Sequence, residues 1–227
     1  MKGIILAGGQ GTRLRPLTYL TNKHLLPIYD KQMVLYPLQT LKDMGIEDIL
    51  LVTGGEHIGQ FAELLGDGSE YGVKLTYKVQ KEAGGIAQAL LLAEDFVDDE
   101  SFAVILGDNI FEYPVKCPTG CGIVVKEVGD PERFGVYQDG EIVEKPEKPK
   151  SNDAVLGLYF YTREIFDFIK TLKPSARGEL EITSVNNWCL ANVESNILRY
   201  DGFWSDAGTL KPIQKCNEWA STRNVLE

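Results

Sequence analysis

The 227-residue chain has 44% hydrophobic and 25% charged residues, globular values that exclude a disordered chain. Its 33 acidic against 23 basic residues give a net charge of −10, which argues against a surface that grips a nucleic-acid backbone. No apolar run nears the ~20 residues of a membrane span, the apolar stretch after Lys2 is too short for a leader, and four scattered cysteines make no disulfide framework; a cytoplasmic protein with no membrane or nucleic-acid partner is expected.

Taken in chain order, Lys2–Ala7, Asp48–Thr53, Lys74–Val79 and Ser101–Leu106 have the length and composition of strands. Between them the spacing predicts helices over Val34–Met44, Ile58–Leu65 and Ile86–Asp95. Pro37 falls in a first turn, where a missing N–H costs little. Strands separated by helices predict βαβ units, a parallel sheet, and a ligand site beyond the carboxyl ends of the strands. The second half is richer in short strands, at Gly122–Val128, Phe134–Tyr137, Ile142–Glu144 and Val155–Tyr161, with a hairpin turn at Gln138-Asp139-Gly140. Helices are expected over Arg163–Leu172, Glu179–Leu190 and Leu210–Thr222. The expectation is an α/β chain, a parallel core with a more β-rich lobe, forming one domain over residues 1–227.

The first strand runs into Ala7-Gly-Gly-Gln-Gly-Thr-Arg-Leu-Arg-Pro16. Gly8, Gly9 and Gly11 permit a tight turn and a close approach of a ligand to backbone N–H groups. The run is not a dinucleotide fingerprint, because Leu14 stands where the last glycine belongs, and the chain has no Gly-Lys-Ser/Thr for a P-loop. Lys2, Arg13, Arg15 and Lys23 all precede the first acid, Asp30, so a local anion site is expected on an otherwise acidic protein. Arg13 supplies a permanently charged fork and Lys23 a point charge, which together suit a triphosphate.

The segments GGQGTRLRPLT (8–18), KHLLPIYDKQM (23–33), LGDN (106–109), EKP (144–146) and PSARGELEIT (174–183) stand in the order found in one family. On these five motifs the chain resembles the sugar-1-phosphate nucleotidylyltransferases, and within them the thymidylyl-transferring branch. The resemblance implies a Rossmann-like nucleotidyltransferase core with a β-rich sugar-binding lobe. It implies a reaction of dTTP with glucose 1-phosphate, giving dTDP-glucose and pyrophosphate by in-line displacement, with Mg²⁺ as cofactor and a homo-oligomeric assembly. The alternatives are UTP or another sugar phosphate as substrate, or a non-catalytic nucleotide-sugar sensor on the same fold.

The resemblance also implies roles. Asp108 and Asp206 would hold Mg²⁺. Arg13 and Lys23 would neutralise the triphosphate and the leaving pyrophosphate, with Gly8, Gly9, Gly11 and Thr12 lining the loop. Leu6, Gly8, Gln80 and Gly85 would form the base pocket; the Gln80 amide can pair a donor and an acceptor edge of a pyrimidine, and Gly85 would leave room for the base. Lys145 and Arg177 would hold the sugar phosphate, Glu144 would accept from sugar hydroxyls, and Gly135 and Val155 would line the same pocket. Of the two Glu-Lys-Pro runs, the first at 144–146 fits the family pattern. Asp108→Asn is expected to abolish most turnover while changing stability little, because it removes one of two like charges.

Some residues carry no assigned chemistry. His24 is either a phosphate contact or a packing residue, and His57 is expected to face solvent. Cys117 and Cys121 have a spacing that suits metal but no second pair, so zinc is not expected, while Cys189 and Cys216 fall in helical patterns as core thiols. Compared with the family pattern, the chain stops at Glu227 without the further C-terminal helices that help form a regulatory site, and the stretch between Phe111 and Gly122 is brief.

Overall fold

A computed structural model of the chain describes residues 1–82, 84–98 and 101–223. The first part holds β1 (Lys2–Ala7), β2 (Pro27–Ile28), β3 (Lys31–Gln32), α1 (Leu35–Asp43), β4 (Asp48–Gly54), α2 (Ile58–Leu65), β5 (Lys74–Gln80), α3 (Ile86–Leu91), β6 (Phe102–Leu106) and β7 (Asn109–Phe111). There follow β8 (Cys121–Glu127), β9 (Gly135–Gln138), β10 (Glu141–Glu144), β11 (Asp153–Tyr161), α4 (Ile165–Thr171), α5 (Ile182–Asn192), β12 (Ser195–Arg199), β13 (Trp204–Asp206) and α6 (Leu210–Arg223). Contacts divide the chain into two compact units. The first comprises Gly3–Glu82, Ile105–Pro114 and Gly202–Glu227; the second comprises Met1–Lys2, Ala83–Val104 and Val115–Asp201.

In the first unit β4 pairs in parallel with β1 and with β5, as the alternation of strands and helices predicts. Ile4, Ile5, Ile49, Leu50, Leu51 and Val52 are fully buried, the mark of strands covered on both faces. The register aligns Ala7 with Thr53 and Gly54 with Gln80, so three strands end side by side at their carboxyl ends. A second layer of this unit was not visible in the sequence pattern. β13 pairs antiparallel with β7, setting Asp206 opposite Asn109. Ile28, Met33, Tyr36, Ile110, Ala207 and Cys216 pack into a core against which Phe203, Ile213 and Trp219 rest.

The second unit is mainly antiparallel. β8 pairs with β11, β9 with β10 and β11 with β9, while β12 joins β8 in parallel. The β9–β10 hairpin turns at Asp139 and Gly140, with φ of 52° and 86°, the left-handed pair that a two-residue hairpin loop needs. Phe102 stacks on Phe166 at 5.5 Å and lies 6.0 Å from Tyr161 in its core.

Two helix boundaries differ from expectation by three residues or more. α3 stops at Leu91 rather than Asp95, because Ala93, Glu94 and Phe96 donate to carbonyls three residues back and the chain tightens into successive turns. α5 begins at Ile182 rather than Glu179. The Leu180 N–H donates to the Gly84 carbonyl at 2.8 Å, which holds this segment extended, and Glu181 has φ −79° and ψ 130°.

Candidate functional site

In the first unit the glycine loop leaves the end of β1 and winds into a 3-10 turn, Thr12–Leu14. Leu14 is fully buried and anchors the loop, so Arg13 beside it can turn outward. Gly11 has φ 64°, and a Cβ there would meet Lys23 Cβ and Thr18 Cγ2 at 3.0 Å; glycine meets both demands. The Thr18 hydroxyl donates to the Gly11 carbonyl at 2.8 Å and closes the turn.

Lys23 runs beneath this loop. A Cβ on Gly9 would stand 3.4 Å from Lys23 Cε. Its Nζ lies 2.5 Å from Asp108 Oδ2, and both side chains are only 13% exposed. The other Asp108 oxygen accepts from Asn109 Nδ2 at 3.0 Å. Burial alone would raise the Asp108 pKa, but the Lys23 charge and the hydrogen bonds from Lys23 and Asn109 outweigh it, and the carboxyl is held well below the usual range. Arg13 converges on the same point: a Cβ at Gly208 would lie 3.2 Å from Arg13 Nη2 and 3.5 Å from Asp108 Oδ2. Asp206 belongs to the strand next to Asn109, and the Ala207 N–H donates to the Asp108 carbonyl at 2.7 Å. The structure thus brings together Arg13, Lys23, Asp108 and Asp206 from four separate stretches of sequence.

Asn22, His24 and Asn109 support this cluster and were not singled out as supports in the sequence. Asn22 Oδ1 accepts from the His24 N–H at 2.9 Å and lies 2.6 Å from His24 Nδ1, while its amide donates to the Ala7 carbonyl at 3.2 Å. His24 is 2% exposed, and its ring would be 2.7 Å from a Cβ at Gly107. Of its two expected roles it fills packing. Burial, together with the Lys23 charge, lowers its pKa to about 3, so the ring is neutral. Asn109 Oδ1 accepts from the Trp204 indole N–H at 2.8 Å, tying the Asp108 turn to β13.

Leu6, Gly8 and Gln80 also fall in this unit. A Cβ on Gly8 would sit 2.6 Å from Gln80 Oε1, so the amide lies across the glycine. Gly54, opposite Gln80 in the register, joins Gly8 in leaving the floor between these strand ends flat. The Gly54-Gly55 pair at a strand end gave no signal for that.

Gly85 belongs to the second unit, whereas Leu6, Gly8 and Gln80 belong to the first. Its φ is 97° and a Cβ would meet the Leu180 carbonyl oxygen at 2.6 Å, so close backbone approach accounts for glycine there. Glu144, Lys145, Arg177 and Gly135 do meet in this unit. Glu144 pairs in register with Gly135, whose missing Cβ would stand 3.5 Å from Glu144 Oε2. Lys145 Nζ lies 3.3 Å and Arg177 Nη2 3.6 Å from Glu144 Oε1. Lys145 has φ 45°, and its N–H donates to the Phe134 carbonyl at 2.9 Å, fixing the turn out of β10. Val155 lies on β11 beside Ala154, which pairs with Val136. Sequence reasoning missed three partners. Arg177 Nε and Nη2 donate to the two Glu181 oxygens at 3.1 and 2.7 Å, Ser175 Oγ donates to Glu181 Oε1 at 2.6 Å, and Thr183 Oγ1 donates to Glu144 Oε2 at 2.6 Å. All three lie in or beside the PSARGELEIT run, where only the arginine stood out.

Other expectations change. Of the four early cations, Lys2 sits at the far end of β1, bound to the Phe96 carbonyl and Asp98 at 2.7 Å, and Arg15 packs over the Tyr19 ring. His57 is half-buried at the start of α2 rather than solvent-facing. Cys121 Sγ lies 3.3 Å from Cys189 Sγ, and among the described residues no group of three or more His, Cys, Asp or Glu side chains could hold a metal. Cys189 and Cys216 are buried, as expected of core thiols.

The nucleotidyl transferase family profile matches residues 2–222. The chain belongs to this family. Glucose-1-phosphate thymidylyltransferase of Neisseria meningitidis is 43% identical over 98% of this chain and 83% of its own length. The enzyme of that name from Mycolicibacterium smegmatis is likewise 43% identical, over 98% and 83%. A crystal structure of a candidate glucose-1-phosphate thymidylyltransferase from Bacillus anthracis, in complex with sucrose, is 49% identical with a TM-score of 0.91, covering 97% of this chain and 95% of that one. UDP-glucose pyrophosphorylase with UDP-glucose, at 24% identity, has a TM-score of 0.83 over 98% of both chains and shares the fold. The α/β nucleotidyltransferase fold read from the sequence is borne out. No described helix is long and apolar enough to cross a membrane.

Proposed function

We propose that this nucleotidyl transferase moves a thymidylyl group from dTTP to glucose 1-phosphate, releasing pyrophosphate. The observation that carries the reading is a pair of cation–carboxylate clusters on elements that match a family whose named relatives do this chemistry. One is Arg13–Lys23–Asp108–Asp206 and the other Glu144–Lys145–Arg177. The reaction joins two anions, so positioning and charge neutralisation supply most of the catalysis.

Arg13 and Lys23 hold the triphosphate against the loop of Gly8, Gly9, Gly11 and Thr12, and they neutralise charge on the departing pyrophosphate. Leu6, Gly8 and Gln80 receive the base. Lys145 and Arg177 hold the sugar phosphate so that its oxygen attacks the α-phosphorus; Glu144 accepts from sugar hydroxyls, and Gly135 and Val155 line the pocket. Asp108 is ionised and Asp206 lies on the adjoining strand, a hard-oxygen donor pair suited to Mg²⁺ with phosphate and water oxygens completing the shell. Bound there, Mg²⁺ would neutralise phosphate charge and order the triphosphate. The single catalytic domain over 1–227, the cytoplasmic setting and the homo-oligomeric state belong to the same proposal.

The test is pyrophosphate release with Mg²⁺ across a panel of nucleoside triphosphates and sugar 1-phosphates. The reading requires dTTP with glucose 1-phosphate to be the best pair. Preference for UTP or for another sugar would reassign the substrate, and no release with any pair would refute the enzyme.

A further inference from the structure

We propose that Asn187 is a positioning residue for the sugar-phosphate site, its side-chain amide holding the outer edge of β10 and so fixing where Glu144 stands. The proposal rests on the role given to Glu144 above. β10 ends its run of strands, and among the described residues β9 is its only strand partner. An end strand presents backbone N–H and C=O groups outward on alternate residues. At Ile142 both are taken by one side chain: Asn187 Oδ1 accepts from the Ile142 N–H at 2.7 Å, and Asn187 Nδ2 donates to the Ile142 carbonyl at 2.8 Å. The amide thus stands in for one residue of a neighbouring strand, from a helix.

The consequence lies two residues further on. Ile142 and Glu144 point to the same face of β10, and α5 packs against that strand. On α5, Thr183 and Asn187 are four residues apart and lie one above the other. Thr183 holds the Glu144 carboxylate at 2.6 Å, while Asn187 holds the backbone that carries it. On the inner side the Lys145 N–H is bound to Phe134. The strand end is therefore held from both sides, with Glu144 between the two grips. Without Asn187 the outer grip is gone, and small displacements of reactive groups cost much in this kind of catalysis.

The experiment compares Asn187→Ala, Glu144→Ala and the double variant, varying glucose 1-phosphate and dTTP in turn. Asn187→Ala should raise KM for glucose 1-phosphate about tenfold and leave KM for dTTP within about twofold. In the Glu144→Ala background the same change should add less than about twofold, because the effect runs through Glu144. An unchanged sugar-phosphate KM, an equal rise in both KM values, or a full additive effect on Glu144→Ala would overturn the proposal. Should Glu144→Ala itself leave the sugar-phosphate KM unchanged, the site assignment falls and the proposal with it. A second measurement needs no variant: the Ile142 amide of the native protein should exchange its hydrogen slowly, and exchange at the rate of an open edge amide would also refute the clamp.

Discussion

Lys23→Met tests the buried pair at the centre of the first cluster. Lys23 and Asp108 are 2.5 Å apart with side chains 13% exposed, so water does little to screen either charge. Removing one partner leaves the other charge buried and uncompensated, a loss of about 3–5 kcal/mol. For a chain of this length that is a fall in Tm of about 10 °C. The double change Lys23→Met with Asp108→Asn should recover most of the loss, because the penalty belongs to the orphaned charge. Asp108→Asn alone orphans the ammonium and should also destabilise. The sequence suggested otherwise by counting Asp108 and Asp206 as like charges; the structure sets a lysine against Asp108.

The pH dependence gives the sign. In the parent the Asp108 pKa is depressed, so its contribution is present above the unfolded value of ~3.8 and is lost as pH falls below it. In Lys23→Met burial, the largest single contribution, is opposed only by the smaller ones from His24 and the Asn109 hydrogen bond, and the pKa rises above ~3.8; the penalty is then full above the raised value and disappears as pH falls toward ~3.8. The variant should gain on the parent as pH falls from 7 to 4, in urea unfolding at stepped pH. A deficit below about 1 kcal/mol at pH 7, or one that stays flat with pH, would refute the argument.

Three further outcomes are expected. Because His24 is neutral in the fold with a pKa of about 3, its contribution is full above ~6.5 and declines as pH falls; the margin of the parent over His24→Gln should shrink by up to ~1.4 kcal/mol per pH unit below 6.5 in the same unfolding series. Gln80→Ala should weaken dTTP binding roughly ten- to a hundredfold by calorimetry, leave glucose 1-phosphate binding unaltered, and reduce discrimination among bases. In steady-state kinetics Arg13→Ala should impair use of the triphosphate and Arg177→Ala should raise the requirement for glucose 1-phosphate; triphosphate loss alone from Arg177→Ala would contradict the division of roles.

What the sequence made legible depends on distance along the chain. The apolar runs around Ile4, Leu50 and Val104 declare strands because burial on both faces requires local composition. The glycine loop declares itself because Gly11 must adopt φ 64°, a demand set by one residue. The Lys23–Asp108 pair spans 85 positions, and no local rule predicts that a lysine beneath one loop will meet a carboxylate beyond a distant strand. The same holds for Asn187 and Ile142, 45 residues apart. β13 was missed because Trp204–Asp206 is too short for a pattern; its register comes from β7. Glu181 was near enough to be seen, yet its task is to hold Arg177, and sequence offers a motif's arginine more readily than that arginine's support.

In the proposed reading the two clusters meet the same demand at different depths. Long cationic side chains lose rotamer freedom when they bind, so a site that has already ordered them binds phosphate at lower entropic cost. Carboxylates do the ordering here: Asp108 for Lys23, and Glu181 with Glu144 for Arg177. The first pair is buried and its loss reaches the stability of the fold. The second is open, with Arg177 48% exposed, where ion pairs contribute only about 0–1 kcal/mol. Glu181→Gln should therefore leave Tm nearly unchanged and raise KM for glucose 1-phosphate, because an untethered guanidinium must be ordered by the ligand itself. A Tm loss as large as that of Lys23→Met would show that Glu181 serves the fold rather than the arginine.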